Sequence, residues 1–214
     1  MQILQIKKIA IALLMGFGIA LATDEPVALI QKKDAELQKL LKDKEVGKKT
    51  DKIKSLINDI FDFEELGKKA LGSETWKTMS VTQQQKFVKA FKQMVENASV
   101  KKLEVYENDS TRYEKPEGEG DKISVTTHVF SKGQESIIVY KLFKKENTWH
   151  AWDLVIDDLS TARNYGEQFK KILQNNTMDA LIVKLEKKSK GEESKPSTTA
   201  KTKAATVSKA KAKP

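Results

Sequence analysis

Few residues in this chain are equipped for chemistry. Its 214 residues include two histidines, His128 and His150, and no cysteine. A zinc-type centre needs three or four ligands at characteristic spacing. The two histidines fall on segments read below as the second and fourth strands. A third ligand would have to come from an acid such as Asp153, and the spacing does not support one. Serines occur without a Gly-x-Ser-x-Gly elbow, and the ten glycines form no phosphate-binding loop. Asp153, Asp157 and Asp158 could form a general-acid cluster. More simply, Asp157 and Asp158 precede an expected helix N-terminus, where negative charge is favoured. Asp153 is expected to be structural, accepting hydrogen bonds from a turn or helix start.

These acids belong to the most informative block, residues 149–169, WHAWDLVIDDLSTARNYGEQF. Trp152, Leu154 and Ile156 alternate, which predicts one face of a strand. Tyr165, Phe169, Ile172 and Leu173 follow at helical spacing, in a helix capped by Ser160. Two apolar faces therefore meet, as an ordinary core or as an apolar pocket.

The elements that must hold this block run helices, strands, helices. Residues 24–43 read as a first helix with a loose stripe of Val27, Ile30, Leu37, Leu40 and Leu41. Ile53, Leu56, Ile57, Ile60 and Phe61 fit the i, i+3, i+4, i+7 pattern. Phe63, Leu66, Ala70 and Leu71 continue onto a short helix that Gly72 stops. Ser80 and Gln83 form a capping box for a helix with Phe87, Ala90, Phe91, Met94 and Val95 on one side. Four strands are expected next, over 103–114, 121–130, 135–144 and 148–157. Short links (Glu117 to Gly120, Lys132-Gly133, Glu146-Asn147) imply an antiparallel meander. Two helices close the chain, the last striped by Met178, Leu181, Ile182 and Leu185. The expected fold is α+β, a curved four-stranded antiparallel sheet with helices packed on one face.

Both ends read differently from the body. Lys7 and Lys8 precede an apolar run from Ile9 to Ala22, and Ala20-Leu21-Ala22 is a cleavage signal. The run is 14 residues, short of the roughly 20 that span a bilayer. Residues 1–22 are therefore expected to be a cleaved export signal, with no cysteine after it for lipid attachment. Residues 23–188 form the expected domain. Residues 189–214 are Lys/Ala-rich, with Val207 as the one large apolar residue, and are expected to be disordered. The net charge of +9 sits mostly at the ends, since the body holds 30 basic and 28 acidic residues. Its aromatics lie on apolar faces rather than among basic patches, so nucleic acid is not an expected partner. The tail could still be drawn loosely to an anionic membrane surface.

Residues Trp149, Trp152, Asp153, Leu154, Leu159, Ser160, Asn164, Tyr165 and Phe169 resemble the C-terminal motif of the MlaC family, periplasmic phospholipid-binding components of the Mla lipid-asymmetry pathway (toluene-tolerance auxiliary proteins). Two positions depart, with Asp158 where the family usually has Gly and Gly166 where it usually has Arg. The first half is similar through Asp62, Phe63, Glu64, Ala70, Leu71, Gly72, Trp76, Gln83, Phe87 and Phe91. Ser99 stands where a tyrosine is common. The ordered set spans most of residues 27–187.

The resemblance implies a cone-like fold akin to nuclear-transport-factor-2-like (NTF2-like) proteins. It implies a carrier in the periplasm of a Gram-negative bacterium, monomeric and not an enzyme, with no cofactor other than a diacyl phospholipid as cargo. Its implied partners are an outer-membrane lipoprotein–porin complex and the inner-membrane Mla ABC transporter complex. Acyl chains would lie in a slot between helices and sheet. The expected lining from the helices is Phe61, Phe63, Leu66, Phe87, Phe91, Tyr165, Phe169 and Leu173. From the sheet it is Val125, Val129, Ile138, Tyr140, Leu142, Trp152, Leu154 and Ile156. Two rivals remain. One is a small-molecule enzyme on the same cone, with Asp153 or His150 deep in the slot. The other is an exported interaction module acting through its basic tail.

Overall fold

The computed structural model describes residues 25–42, 49–103 and 108–191. The expected export signal and most of the basic tail lie outside the described residues. Five helices come first: α1 (Glu25–Lys42), α2 (Lys49–Ile60), α3 (Phe63–Leu71), α4 (Ser73–Thr78) and α5 (Val81–Leu103). The strands are β1 (Ser110–Tyr113), β2 (Glu117–Glu119), β3 (Lys122–Ser131), β4 (Gln134–Lys145), β5 (Thr148–Ile156) and β6 (Leu159–Ser160). Helices α6 (Thr161–Leu173) and α7 (Met178–Ser189) follow. Among the described residues no helix is long and apolar enough to cross a membrane.

Local chemistry accounts for several boundaries. Asp62 caps α3, its Oδ1 accepting the Glu65 N–H at 2.9 Å. Gly72 ends that helix at φ 81°, where a side chain would be strained. Ser80 Oγ accepts the Gln83 N–H at 3.2 Å, and Gln83 Oε1 accepts the Ser80 N–H at 3.1 Å. Both halves of the expected capping box are thus present. Ser160 caps α6 through the Arg163 N–H at 3.1 Å.

All strand pairs are antiparallel, in the order β1-β3-β4-β5-β6 with β2 also on β3. Lys132-Gly133 and Glu146-Asn147 both have two successive positive φ values, the conformation that suits two-residue hairpins. The sheet corrects the expectation in two ways. Beyond the four expected strands it carries short β2 and β6. Glu117–Glu119, read from sequence as a turn, pairs with Ser124–Lys122. The first strand is also shorter than expected, because α5 continues through Leu103 and β1 begins only at Ser110. The helix's apolar positions keep their period to its end, and Val100 remains buried.

Asp157 and Asp158 are likewise reassigned. They do not lead directly into the helix but form the tight β5–β6 turn, at φ 46° and 66°. Asp157 Oδ1 accepts the Ile137 N–H at 2.9 Å.

The apolar interior divides into two clusters. One is built by the helices around Phe87, Phe91, Phe169, Leu66 and Leu181. The other joins Ile30 and Ile60 to the sheet residues Val125, Leu142, Trp149 and Ala151. Phe61 packs against both, at the junction where Asp62 N donates to Ala151 O at 3.0 Å. Phe61 thus stands where the helical and the sheet-side clusters meet.

Candidate functional site

Where the two clusters diverge, a cavity of about 610 Å³ opens, within the roughly 300–1,000 Å³ usual for ligand pockets. Helices α2 and α3 supply Leu56, Ile57, Ile60 and Leu66, and the link between them supplies Phe61. The sheet supplies Val129, Ile138, Tyr140, Leu154 and Ile156, and α6 contributes Tyr165. Helix α1 closes another side with Ile30 and Leu37. Pro26 and Ile30 of α1 are buried, whereas Leu37 is half-buried, packing on the helical cluster and lining the cavity. Burial raises the Tyr165 pKa, and its phenol stays neutral at physiological pH.

Of the residues expected to line a slot, Phe61, Leu66, Val129, Ile138, Tyr140, Leu154, Ile156 and Tyr165 do lie on this cavity. The others do not, and each has a physical reason. Phe87, Phe91 and Phe169 fill the helical cluster, with ring centroids 5.4 to 5.5 Å apart in stacked and edge-to-face pairs. Leu173 packs on the same cluster. Val125 and Leu142 are fully buried in the sheet-side cluster. Phe63 turns toward a separate recess, 6.0 Å from Phe61.

Trp152 is displaced by a β-bulge. Lys141 pairs with Asp153 but Leu142 pairs with Ala151, so Trp152 is the extra residue. Strict alternation predicts Trp152, Leu154 and Ile156 on one face. The bulge breaks that rule, and the Trp152 ring sits between the ammonium groups of Lys69 and Lys141 at 5.3 and 5.6 Å.

The acid and the histidines named as candidates for chemistry lie off the cavity. Asp153 is buried and fully engaged. Its Oδ1 accepts the N–H groups of Leu154 and Ala162, each at 2.9 Å, and its Oδ2 accepts the Ser160 hydroxyl at 2.7 Å. That is the structural role its position predicts. His150 lies in the second recess, of about 410 Å³, with Lys92, Asp62 and Lys145. There Lys145 donates to Asp62 at 2.9 Å. Burial would raise the Asp62 carboxyl, but bonds from Glu65 N–H and Lys145 outweigh it and hold its pKa down. His128 is bonded to Glu135 and Glu114, each at 2.6 Å. Among the described residues no group of three or more His, Cys, Asp or Glu could hold a metal ion.

Several lining residues escaped the sequence reading. Tyr113 on β1 donates to Asp34 Oδ2 on α1 at 2.7 Å, joining two walls of the cavity. Lys33, one residue earlier, donates to Asp59 and Glu36 at 2.9 and 3.0 Å. Burial pulls its pKa down, but those carboxylates more than compensate and leave it raised. The stripe of α1 was visible as a stripe. Nothing in it distinguishes a side chain facing a hollow from one facing a core.

Residues 30–187 match the model of the family described as MlaC protein. The chain belongs to the MlaC family. A curated relative, the intermembrane phospholipid transport system binding protein MlaC of Haemophilus influenzae, is 28% identical over 138 residues. That alignment covers 60% of this chain and 64% of the relative, so the chain spans somewhat under two thirds of that MlaC's length. Among solved structures, a phospholipid-binding protein from Ralstonia solanacearum, in complex with a phospholipid, superposes with a TM-score of 0.67. It covers 77% of this chain and 96% of its own, at 20% identity, and is a likeness of fold. The MlaC-like α+β architecture expected from sequence is therefore present, with helices diverging from an antiparallel sheet.

Proposed function

We propose that this protein is a soluble phospholipid carrier of the Gram-negative periplasm. It holds acyl chains in the cavity and hands them between an outer-membrane lipoprotein–porin complex and an inner-membrane Mla ABC transporter complex. The observation that carries this reading is the apolar hollow left between two separately packed clusters, in a chain of the MlaC family. Releasing a two-chain lipid into water exposes roughly 28 methylenes at about 0.8 kcal/mol each, over 20 kcal/mol in total. A carrier must replace the bilayer with comparably apolar surroundings. It must not greatly exceed the bilayer, or the cargo would never leave. Such a handover needs no covalent chemistry and no cofactor, so the protein acts without being an enzyme.

Native mass spectrometry of the protein purified from cells, followed by lipid extraction, tests this. About one diacyl phospholipid per chain is the expected result. A compact protein that carries no lipid under gentle conditions would overturn it. Deletion of the residues after Lys188 separates the carrier from a module acting through its tail. The carrier keeps its lipid, whereas the module loses its binding.

A further inference from the structure

One row of directly paired residues crosses the sheet from edge to edge. It runs Tyr113 on β1, Thr127 on β3, Ile138 on β4, Ile156 on β5 and Leu159 on β6. Residues paired directly across antiparallel strands place their side chains on the same face. Tyr113, Thr127, Ile138 and Ile156 line the cavity, so Leu159 is set on the cavity face as well, just outside the lining. Exposure rises toward that end. Thr127 is 2% exposed, Ile156 38% and Leu159 70%. The apolar wall therefore continues past the cavity to the open edge of the sheet.

Leu159 is held in this place. The turn at Asp157 and Asp158, both at positive φ, has the conformation that suits a two-residue hairpin and brings Leu159 opposite Ile156. Asp157 N–H donates to Ile137 O, and Asp157 Oδ1 accepts the Ile137 N–H, both at 2.9 Å. On the other side of Leu159, the Ser160 hydroxyl donates to Asp153 Oδ2 at 2.7 Å. A leucine exposed singly is ordinary, but this one is fastened between two tied residues and extends a ligand wall. Adjacent strands lie about 4.8 Å apart, so the three steps from Thr127 to Leu159 cover about 14 Å. One leaflet of a bilayer's hydrocarbon core is about 15 Å deep. An acyl chain laid across the strands from Thr127 would thus reach Leu159.

Resting on the carrier reading, we propose that Ile156 and Leu159 form the outer end of the acyl-chain site, where hydrocarbon that the cavity does not enclose lies over the edge of the sheet. The occupant is the cargo's own chain, because this surface is continuous with the wall that holds the rest of it. Leu159 shields that hydrocarbon from water and so slows its escape.

The chain has no cysteine, so one introduced cysteine carries one label. Bimane is attached to L159C, to I138C on the cavity wall, and to V183C on α7, which is exposed but off the lining. Each protein is loaded with phosphatidylcholine bearing a nitroxide at one end or the other of a chain, then separated from vesicles. At least one of the two lipids should quench the label at L159C, and neither should quench it at V183C. Quenching at I138C with none at L159C overturns the proposal. Quenching at L159C only while vesicles are present would make Leu159 a bilayer contact and overturn it too. No quenching at either I138C or L159C would instead overturn the carrier reading. Release of bound phosphatidylcholine to excess vesicles gives a second readout. L159S should release it about tenfold faster than the parent, with L159M and V183S close to the parent rate. Release from L159S at the parent rate overturns the proposal.

Discussion

The carboxylate of Asp153 accepts the Ala162 N–H at 2.9 Å and so fastens β5 to the first turn of α6. The same side chain holds the Ser160 hydroxyl and the Leu154 N–H. Leu154 and Tyr165, which wall the cavity from these two elements, are positioned through one buried acid. Thr161 adds a second tie, donating its hydroxyl to Leu154 O at 2.8 Å.

Asp153→Ala should therefore destabilise the protein by about 2–4 kcal/mol, because buried donors lose their acceptor. Asp153→Asn, which keeps one carbonyl oxygen, should lose less. Denaturant unfolding measures both. An Asp153→Ala protein as stable as the parent would show that the strand–helix joint does not depend on this acid.

Gly166 is a second tight joint. A Cβ built there would lie 2.7 Å from the Ala70 carbonyl oxygen on α3, too close for any side chain without backbone movement. Alanine is the better helix former by about 1 kcal/mol, but overpacking against backbone loses about 1–3 kcal/mol. Gly166→Ala should on balance lower the melting temperature. A rise would mean that α3 and α6 separate readily.

Leu154→Asp and Ile138→Asp place a charge on the cavity wall. Each should lower the amount of co-purified lipid in a protein that still folds, read by native mass spectrometry and circular dichroism. Full occupancy in both variants would show that the chains lie elsewhere. Phe87→Leu acts in the packed helical cluster instead and should lower stability by about 1–2 kcal/mol.

His128 joins Glu114 of the β1–β2 connection to Glu135 of β4 across β3. Its bonds to Glu135 and then Glu114 raise its pKa above the usual 6.5, while the His128 bond lowers that of Glu114. A raised histidine contributes stability that is complete below its unfolded pKa and fades as pH rises through the folded value. The stability advantage over His128→Gln should accordingly shrink as the solution becomes alkaline. The Glu114 part should fade in acid, as pH falls through its folded pKa. An NMR titration checks the premise, with a His128 midpoint above 6.5 that drops in Glu135→Gln. A midpoint unmoved by that substitution would refute the cause assigned here.

The legible parts of the fold were those written locally. Ser80 with Gln83, Ser160, and Gly72 mark helix ends through hydrogen bonds or backbone conformations confined to a few residues. The turns at Lys132-Gly133 and Glu146-Asn147 are equally local. The one-residue bulge at Trp152 was not legible. It arises from fitting β5 to Lys141 and Leu142 of β4 while Asp153 turns to meet α6, a demand made by two partners remote in the chain.

By itself the sequence specified the apolar side of the helices, the succession of helices, strands and helices, and the α+β class, because periodicity and capping act within a turn or a hairpin. It could not separate Phe87 from Phe61, or Leu142 from Ile138, since a core and a cavity wall exclude water with the same side chains. It is the packing of elements remote in the chain that gives Phe87 and Leu142 packed neighbours and leaves Phe61 and Ile138 on a hollow. That outcome depends on how the helices are held against the sheet, through contacts such as Asp62 on Ala151 and Ala162 on Asp153, between residues remote in the chain.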